Sequence, residues 1–405
     1  MPSNRVALAH DYLVSRGGAE RVAMSLANAF PDAPLYTSLY EPSRTFPDFA
    51  DVNVQPSSLN RHKILRENFR LGLPVLAHTY NSMRSDALVT ICSSSGWAHG
   101  ILATGRKVVY CHTTAHWLYE TDQYLGDVTG GRSPGSAGAS AQSTAKARAR
   151  LLAARCAIGF LGPSLRRWDK EAAQTAHRYI TQSVRAATAI EETYGIKAEV
   201  LPPPAGMRPE GPEQQPDGIE PGYWLQVARL MPYKNVDVAV DAVKAMPGAR
   251  LVVVGEGPDD GRLRRMGGPV SLVGKVDDAE LRWLYRNCKG LVSASHEDFG
   301  LTVLEAASFG KPSAVLRAGG FLDSVIEGQT GKFFDLPEPK LVAEALEWLS
   351  AHPLPPGTLI EHAQRYGEER FRSRLIEIVE EELEIASRSA SEGSRQLDFE
   401  HAALN

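Results

Sequence analysis

No apolar run in this 405-residue chain reaches the roughly 18–20 residues that a membrane-spanning helix needs. Cysteine is scarce. Cys92, Cys111, Cys156 and Cys288 lie far apart without C-x-x-C spacing. That excludes a disulfide scaffold and predicts free thiols in a reducing compartment. No His, Cys and carboxylate constellation has metal-ligand spacing. Asp259-Asp260 and Asp277-Asp278 read as helix caps. A G-x-G-x-x-G run is also missing, and Gly17-Gly18 alone makes a nicotinamide dehydrogenase a poor reading. The strand-like stretch from Arg5 to His10 begins almost at once, so no signal peptide is expected. These absences predict a cytoplasmic protein without a metal centre.

What is present fits an ordinary soluble globular protein, with 43% apolar and 23% charged residues. The length suits two domains. Net charge is −4, but residues 1–204 hold 22 Lys+Arg against 16 Asp+Glu, and the remainder 22 against 32. A positive first half suggests an anionic partner there. Strand candidates fall at residues 5–10, 34–40, 87–93, 107–113, 177–183 and 198–202 in the first half. In the second they fall at 223–229, 250–255, 270–276, 290–295, 313–317 and 331–335. Several are Val, Ile and Leu runs without alternation, as strands covered on both faces are. With helices between them, the class is α/β with two doubly wound parallel sheets. The Pro- and Gly-dense stretch 207–222 is expected to link the domains 1–206 and 223–365. A helix over 366–388 follows, its apolar face marked by Phe371, Leu375, Ile376, Val379, Leu383 and Ile385. Residues 389–405 read as a loose tail, and 126–144, rich in Gly, Ser and Ala, as a mobile loop.

The most informative run extends from His296 to Gly310. A strand end, a Phe299-Gly300 loop and a helix from Leu301 would place Glu297 beyond the strand and Glu305, eight residues later, about two helical turns further on. The free amides at Phe299, Gly300, Leu301 and Thr302 would form an anion cradle. Arg229 closes one strand, and Lys234 stands just before a helix, so two cations at the top of the sheet would suit a diphosphate. Gly255, Lys275 with Val276, and Gly319-Gly320 close neighbouring strands where backbone can meet a base or phosphate. In the first half, Gly17-Gly18 open a helix after the first strand. His112 ends another strand and could bond a hydroxyl or move a proton. His10-Asp11 is a similar, weaker candidate.

Between Leu59 and Leu71, four basic residues (Arg61, Lys63, Arg66, Arg70) alternate with apolar ones. The pattern predicts either a surface helix or a basic amphipathic helix lying on an anionic membrane. Lys146, Arg148, Arg150 and Arg155 form a second basic segment.

Together these motifs resemble the large family of retaining GT-B glycosyltransferases that includes bacterial mannosyltransferases and glycogen and sucrose synthases. The likeness covers most of residues 5–385. Glu297 to Glu305 fits its two-glutamate motif, Arg229 and Lys234 its donor-phosphate cations, Gly17-Gly18 its glycine loop and His112 its cleft histidine. Ser93-Ser94-Ser95, Tyr110-Cys111-His112-Thr113 and Trp168-Asp169 look like a branch from bacterial surface-polysaccharide clusters, many members of which use GDP-mannose. That branch commonly has Pro-Met-Arg-Tyr where this chain has Thr114-Ala115-His116-Trp117, and Glu-Gly where it has Glu297-Asp298.

The resemblance implies a GT-B architecture whose last helix crosses back to the first domain. It implies hexosyl transfer, best matched by mannose from GDP-mannose, to a glycan or lipid-linked acceptor. Glu297 would hold sugar hydroxyls, Glu305 the ribose, and Arg229 and Lys234 the departing diphosphate, with no metal required. His112 would meet the donor sugar near the reacting centre. Two alternatives stay open: a nucleotide-sugar epimerase on the same architecture, and a catalytically silent member that binds a glycan or partner.

Overall fold

The computed structural model describes residues 5–119 and 161–402. The 126–144 loop, the second basic segment and Cys156 lie outside them. Among the described residues, Cys92, Cys111 and Cys288 are free and buried.

The first sheet contains β1 (Val6–His10), β2 (Leu35–Thr37), β3 (Val54–Pro56), β5 (Val89–Ser94), β7 (Arg106–Cys111), β8 (Arg178–Thr181) and β9 (Glu199–Val200). Their order across the sheet is β3-β2-β1-β5-β7-β8-β9, all parallel. Two dipeptide strands, β4 (Arg84–Ser85) and β6 (Leu102–Ala103), pair beside it.

The second sheet holds β10 (Trp224–Val227), β11 (Leu251–Val254), β12 (Val270–Gly274), β13 (Gly290–Ser293), β14 (Ser313–Leu316) and β15 (Gly331–Phe334). Its order is β12-β11-β10-β13-β14-β15, again all parallel. In each sheet the winding reverses once, between β1 and β5 in the first and between β10 and β13 in the second. Ligands of doubly wound folds bind beyond the strand ends at that reversal.

Each sheet is covered on both faces, which explains its unalternated apolar strands. The long last helix, Glu368–Ala402, sends Phe371, Leu375, Ile378, Val379 and Leu383 into the core of the first sheet, beside Leu8, Val22 and Tyr110. Each such side chain contributes about 1.5–3 kcal/mol by leaving water. Arg106 pairs with Glu382 on this helix, and Arg374 reaches Glu199 at 2.8 Å. The crossing-back helix is therefore present. It continues to Ala402, so the stretch read as a loose tail is helical through that residue.

The segment 207–222 carries neither helix nor strand. Its Met207 and Ile219 are buried in the second sheet's core, so it lies against that domain rather than standing free.

The stretch between Leu59 and Leu71 is not one amphipathic helix. It breaks into short turns at Ser58–Arg61, Lys63–Glu67 and Phe69–Gly72. Arg66 turns inward to Glu41 at 2.9 Å, and Phe69 packs on Tyr12 with ring centroids 4.6 Å apart, which spends one cation and one apolar side chain on the fold. Among the described residues, no helix is long and apolar enough to cross a membrane.

Candidate functional site

The two reversals approach each other, with Gly18 against Leu301 and Ser183 against Asp298. On the second sheet, β10 runs into Arg229 and β13 into Glu297, so the predicted cation and carboxylate flank one reversal. Pro232–Lys234 forms a single 3-10 turn. Asn235 then takes a left-handed conformation (φ 49°) and donates its Nδ2–H to the Ala294 carbonyl at 2.8 Å. This clips the Lys234 loop to the end of β13. The helix Val236–Ala245 anchors it from behind through Val236, Ala239, Val240 and Val243.

Lys234 Nζ donates to both oxygens of Glu297, at 2.6 and 2.7 Å, and Ser295 Oγ donates to Oε1 at 2.5 Å. Burial pulls the Lys234 ammonium pKa down. The adjoining Glu297 carboxylate outweighs this, and the pKa stands above the usual lysine value. Arg229 is exposed, its carbonyl accepts from the Met231 amide at 2.7 Å, and its guanidinium makes no hydrogen bond or ion pair with another described residue, which leaves it available to a ligand.

Gly300 (φ 83°) starts the helix Leu301–Ser308, and no side chain caps its first amides. Gly319 (φ 63°) and Gly320 lie against the Glu297 loop. A Cβ on Gly319 would stand 2.2 Å from the Glu297 carbonyl oxygen, and one on Gly320 2.2 Å from Phe299 Cα. Those two glycines are required by close approach, and Gly320 N–H donates to the Glu297 carbonyl at 2.7 Å.

Glu305 is buried and accepts a hydrogen bond from Tyr285 Oη at 2.7 Å. Its other oxygen faces the chain crossing at Gly206, where a Cβ would meet it at 2.8 Å. Glu305 is thus not bonded to the Lys234–Glu297 pair. Gly255 closes β11 and donates to Gly274 at 2.8 Å, while Lys275 and Val276 follow the edge strand β12, further from the reversal.

On the first sheet, Gly17-Gly18 open the helix Gly18–Ala29. Gly18 approaches the second domain closely, since a Cβ there would lie 3.2 Å from Leu301 Cδ1. Glu20, two residues on, is buried beneath this loop and bonded by Ser15 Oγ. Burial raises its pKa, partly offset by the Ser15 bond and the field of Arg229.

His112 is buried at the end of β7. Its Nε2 is joined to Ser93 Oγ at 2.8 Å, and that hydroxyl to His10 Nδ1 at 3.0 Å. Gln182 Nε2 donates to the His112 carbonyl at 2.7 Å. Burial lowers His112 to about 4 against the pull of Asp298. Burial and the neighbouring His112 lower His10 to about 3. Both rings are neutral at pH 7. Asp11 instead accepts backbone amides of Ser95 and Ala98, each at 2.7 Å, so it braces the loop after β5.

The domains touch beside these groups. Ser183 Oγ donates to the Asp298 carbonyl, and the Val184 amide to Asp323 Oδ2, both at 3.1 Å. Sequence reasoning missed Ser93, Glu20, Gln182, Ser183 and Tyr285 as members of the site. Ser93 stood inside a recognised motif and Glu20 two residues after the Gly17-Gly18 pair, which was a usable signal. The other three are brought in only by tertiary packing. Among the described residues, no group of three or more His, Cys, Asp or Glu side chains is arranged to hold a metal.

Residues 209–370 match the family model for glycosyl transferases group 1. The D-rhamnosyltransferase WbpZ of Pseudomonas aeruginosa is 29% identical over 189 residues, 44% of this chain and 48% of its own. A GDP-mannose-dependent alpha-(1-6)-phosphatidylinositol dimannoside mannosyltransferase of Mycobacterium tuberculosis is 33% identical over 137 residues, 32% of this chain and 35% of its own. The chain thus spans about half, or less, of the length of these curated relatives. Among solved structures, Anabaena HepE in complex with UDP-glucose superposes with a TM-score of 0.65 at 16% identity, covering 93% of this chain and 99% of that one. A sucrose-phosphate synthase from Thermosynechococcus elongatus gives 0.64 at 15%, covering 93% and 99%. The fold is GT-B, and its second domain carries the match to glycosyl transferases group 1.

Proposed function

We propose that this protein is a retaining glycosyltransferase that moves a hexose from a nucleotide-sugar to a glycan or lipid-linked acceptor. The observation that carries this reading is the Lys234–Glu297 pair at the second reversal, beside the available Arg229 and the uncapped helix start at Gly300. A diphosphate needs fixed positive charge, and Arg229, Lys234 and the free helix amides would supply it without a metal ion. In this reading Arg229, Lys234 and the amides from Phe299 to Thr302 hold the diphosphate as it departs. Glu297 takes up sugar hydroxyls, and Glu305 the ribose. Gly17-Gly18 and Gly319-Gly320 let backbone close over the phosphates. Gly255, Lys275 and Val276 border the base. His112 faces the sugar from the first domain. The acceptor enters on the face that the leaving group vacates, and a phosphate oxygen takes its proton, so configuration is retained.

Mannose from GDP-mannose is the donor we favour, on the mannosyltransferase relative and the surface-polysaccharide motifs. The HepE likeness favours a uridine donor instead. The matched family and relatives are transferases, which favours transfer over epimerisation. Working at an anionic membrane surface, through the exposed basic residues near Arg61 and Lys63, remains part of the proposal. Calorimetric titration with GDP-mannose, UDP-glucose and their nucleoside diphosphates tests it. Binding of one sugar nucleotide, weakened at least tenfold by Lys234→Ala, is the expected result. No binding of any of them overturns the reading.

A further inference from the structure

The three groups His10, Ser93 and His112 form a buried chain at the first reversal that the proposed reaction does not by itself require. Their side chains come from the ends of β1, β5 and β7, three neighbouring strands. All three residues are 5% exposed or less. The ring centroids of the two histidines are 6.5 Å apart and nearly perpendicular, so the hydroxyl between them is their shared contact.

A serine hydroxyl carries one hydrogen. Flanked by two ring nitrogens at bonding distance, it can donate to one and must accept from the other. A neutral imidazole also has one N–H, on one nitrogen only. Two arrangements satisfy all three groups. In the first, His112 Nε2–H donates to Ser93 Oγ and Ser93 O–H donates to His10 Nδ1, so both rings carry hydrogen on Nε2. In the second, His10 Nδ1–H donates to Ser93 Oγ and Ser93 O–H donates to His112 Nε2, so both rings carry it on Nδ1. A mixed pair leaves either the hydroxyl hydrogen without a ring acceptor, when both rings donate to Oγ, or one ring nitrogen without a donor, when both are bare, and either is costly for buried groups.

We propose that Ser93 couples the tautomers of His10 and His112, and thereby sets whether His112 Nδ1 meets the substrate as donor or acceptor. Ser93 holds Nε2, so Nδ1 is the ring atom left for a sugar hydroxyl. That consequence rests on the transferase reading; the coupling does not. Ser93 and His10 are positioning residues here. The lowered pKa values of both rings support the coupling, because it needs neutral imidazoles.

The test is 15N NMR of ring-labelled protein at pH 7, where N–H and bare ring nitrogens have well separated shifts. The expected spectrum gives His10 and His112 the same tautomer. Opposite tautomers, or a charged ring at either position, overturn the coupling. Ser93→Ala should leave His112 without a single defined tautomer; an unchanged His112 spectrum in a folded variant also overturns it. In turnover, Ser93→Ala and His10→Ala should each lower kcat about tenfold, the worth of one hydrogen bond, with little change in donor KM. His10→Asn, whose amide can either donate or accept at the Nδ1 position, should restore much of the loss. If wild-type protein turns over no nucleotide-sugar, the transferase reading fails, and the wild-type spectrum still decides the coupling.

Discussion

Replacing Glu297 with glutamine should separate the two tasks that the site imposes on this carboxylate. The change keeps the shape, removes one negative charge and frees Lys234, which the carboxylate now holds at 2.6 and 2.7 Å. A diphosphate oxygen bonding the same ammonium from its other side would stand about 5 Å from that carboxylate. Repulsion at that range is about 1 kcal/mol at the permittivity of water and about 3 kcal/mol at an effective value of 20. The Lys234 and Glu297 side chains are 13% and 24% exposed, so the site lies between those limits. Relief of about 1–2 kcal/mol makes a bare nucleoside diphosphate bind Glu297→Gln about 5–30-fold more tightly than wild type. Transfer should fall in the same variant by about 100-fold, because the sugar loses a charged partner in the transition state. Calorimetry with UDP and GDP, followed by turnover assays, gives both numbers. Diphosphate binding that is unchanged or weaker in the variant would refute the placement of Glu297 beside the phosphates.

Three further outcomes follow from the same geometry. Gly319→Ala forces a Cβ into the Glu297 carbonyl at positive φ and should cost about 2 kcal/mol or more in urea unfolding; wild-type stability would contradict the close approach. Tyr285→Phe removes the one hydrogen bond made to the buried Glu305 carboxylate among the described residues. It should cost about 1–3 kcal/mol and raise donor KM, and a silent substitution would argue against Glu305 as the ribose ligand. His112 has a folded pKa of about 4, below the unfolded value near 6.5, so its contribution to stability is present above pH 6.5 and is lost as pH falls towards 4. Unfolding measured across that range should therefore be flatter for His112→Gln than for wild type, and parallel profiles would refute a buried neutral ring.

The parallel strands were legible because burial on both faces leaves runs such as Leu251–Val254 with no polar interruption. The edge strand Val54–Pro56 was not, since Gln55 and Pro56 are exposed and its pairing is imposed by the neighbouring strand. The stretch from Leu59 to Leu71 has helical periodicity, but Arg66 binds Glu41 and the Asn60 carbonyl, and the helix breaks around those bonds. The residues of the candidate site were legible one at a time because most of them follow a strand end or stand near a helix start. Their partners were not. That Lys234 would pair with Glu297, Glu305 with Tyr285 and His112 with Ser93 depends on sheet order, which places residues 19 to 63 positions apart in contact. The helical continuation from residue 389 to Ala402 lacks an apolar stripe, so its sequence gave no reason to extend the helix.

The most direct measurement is nucleoside diphosphate release from GDP-mannose and UDP-glucose with a membrane or glycan extract as acceptor, for wild type and Lys234→Ala side by side. The account predicts acceptor-dependent release from one donor by wild type, lower by about 100-fold or more in Lys234→Ala. Equal release by both proteins, or none from any donor, would contradict it.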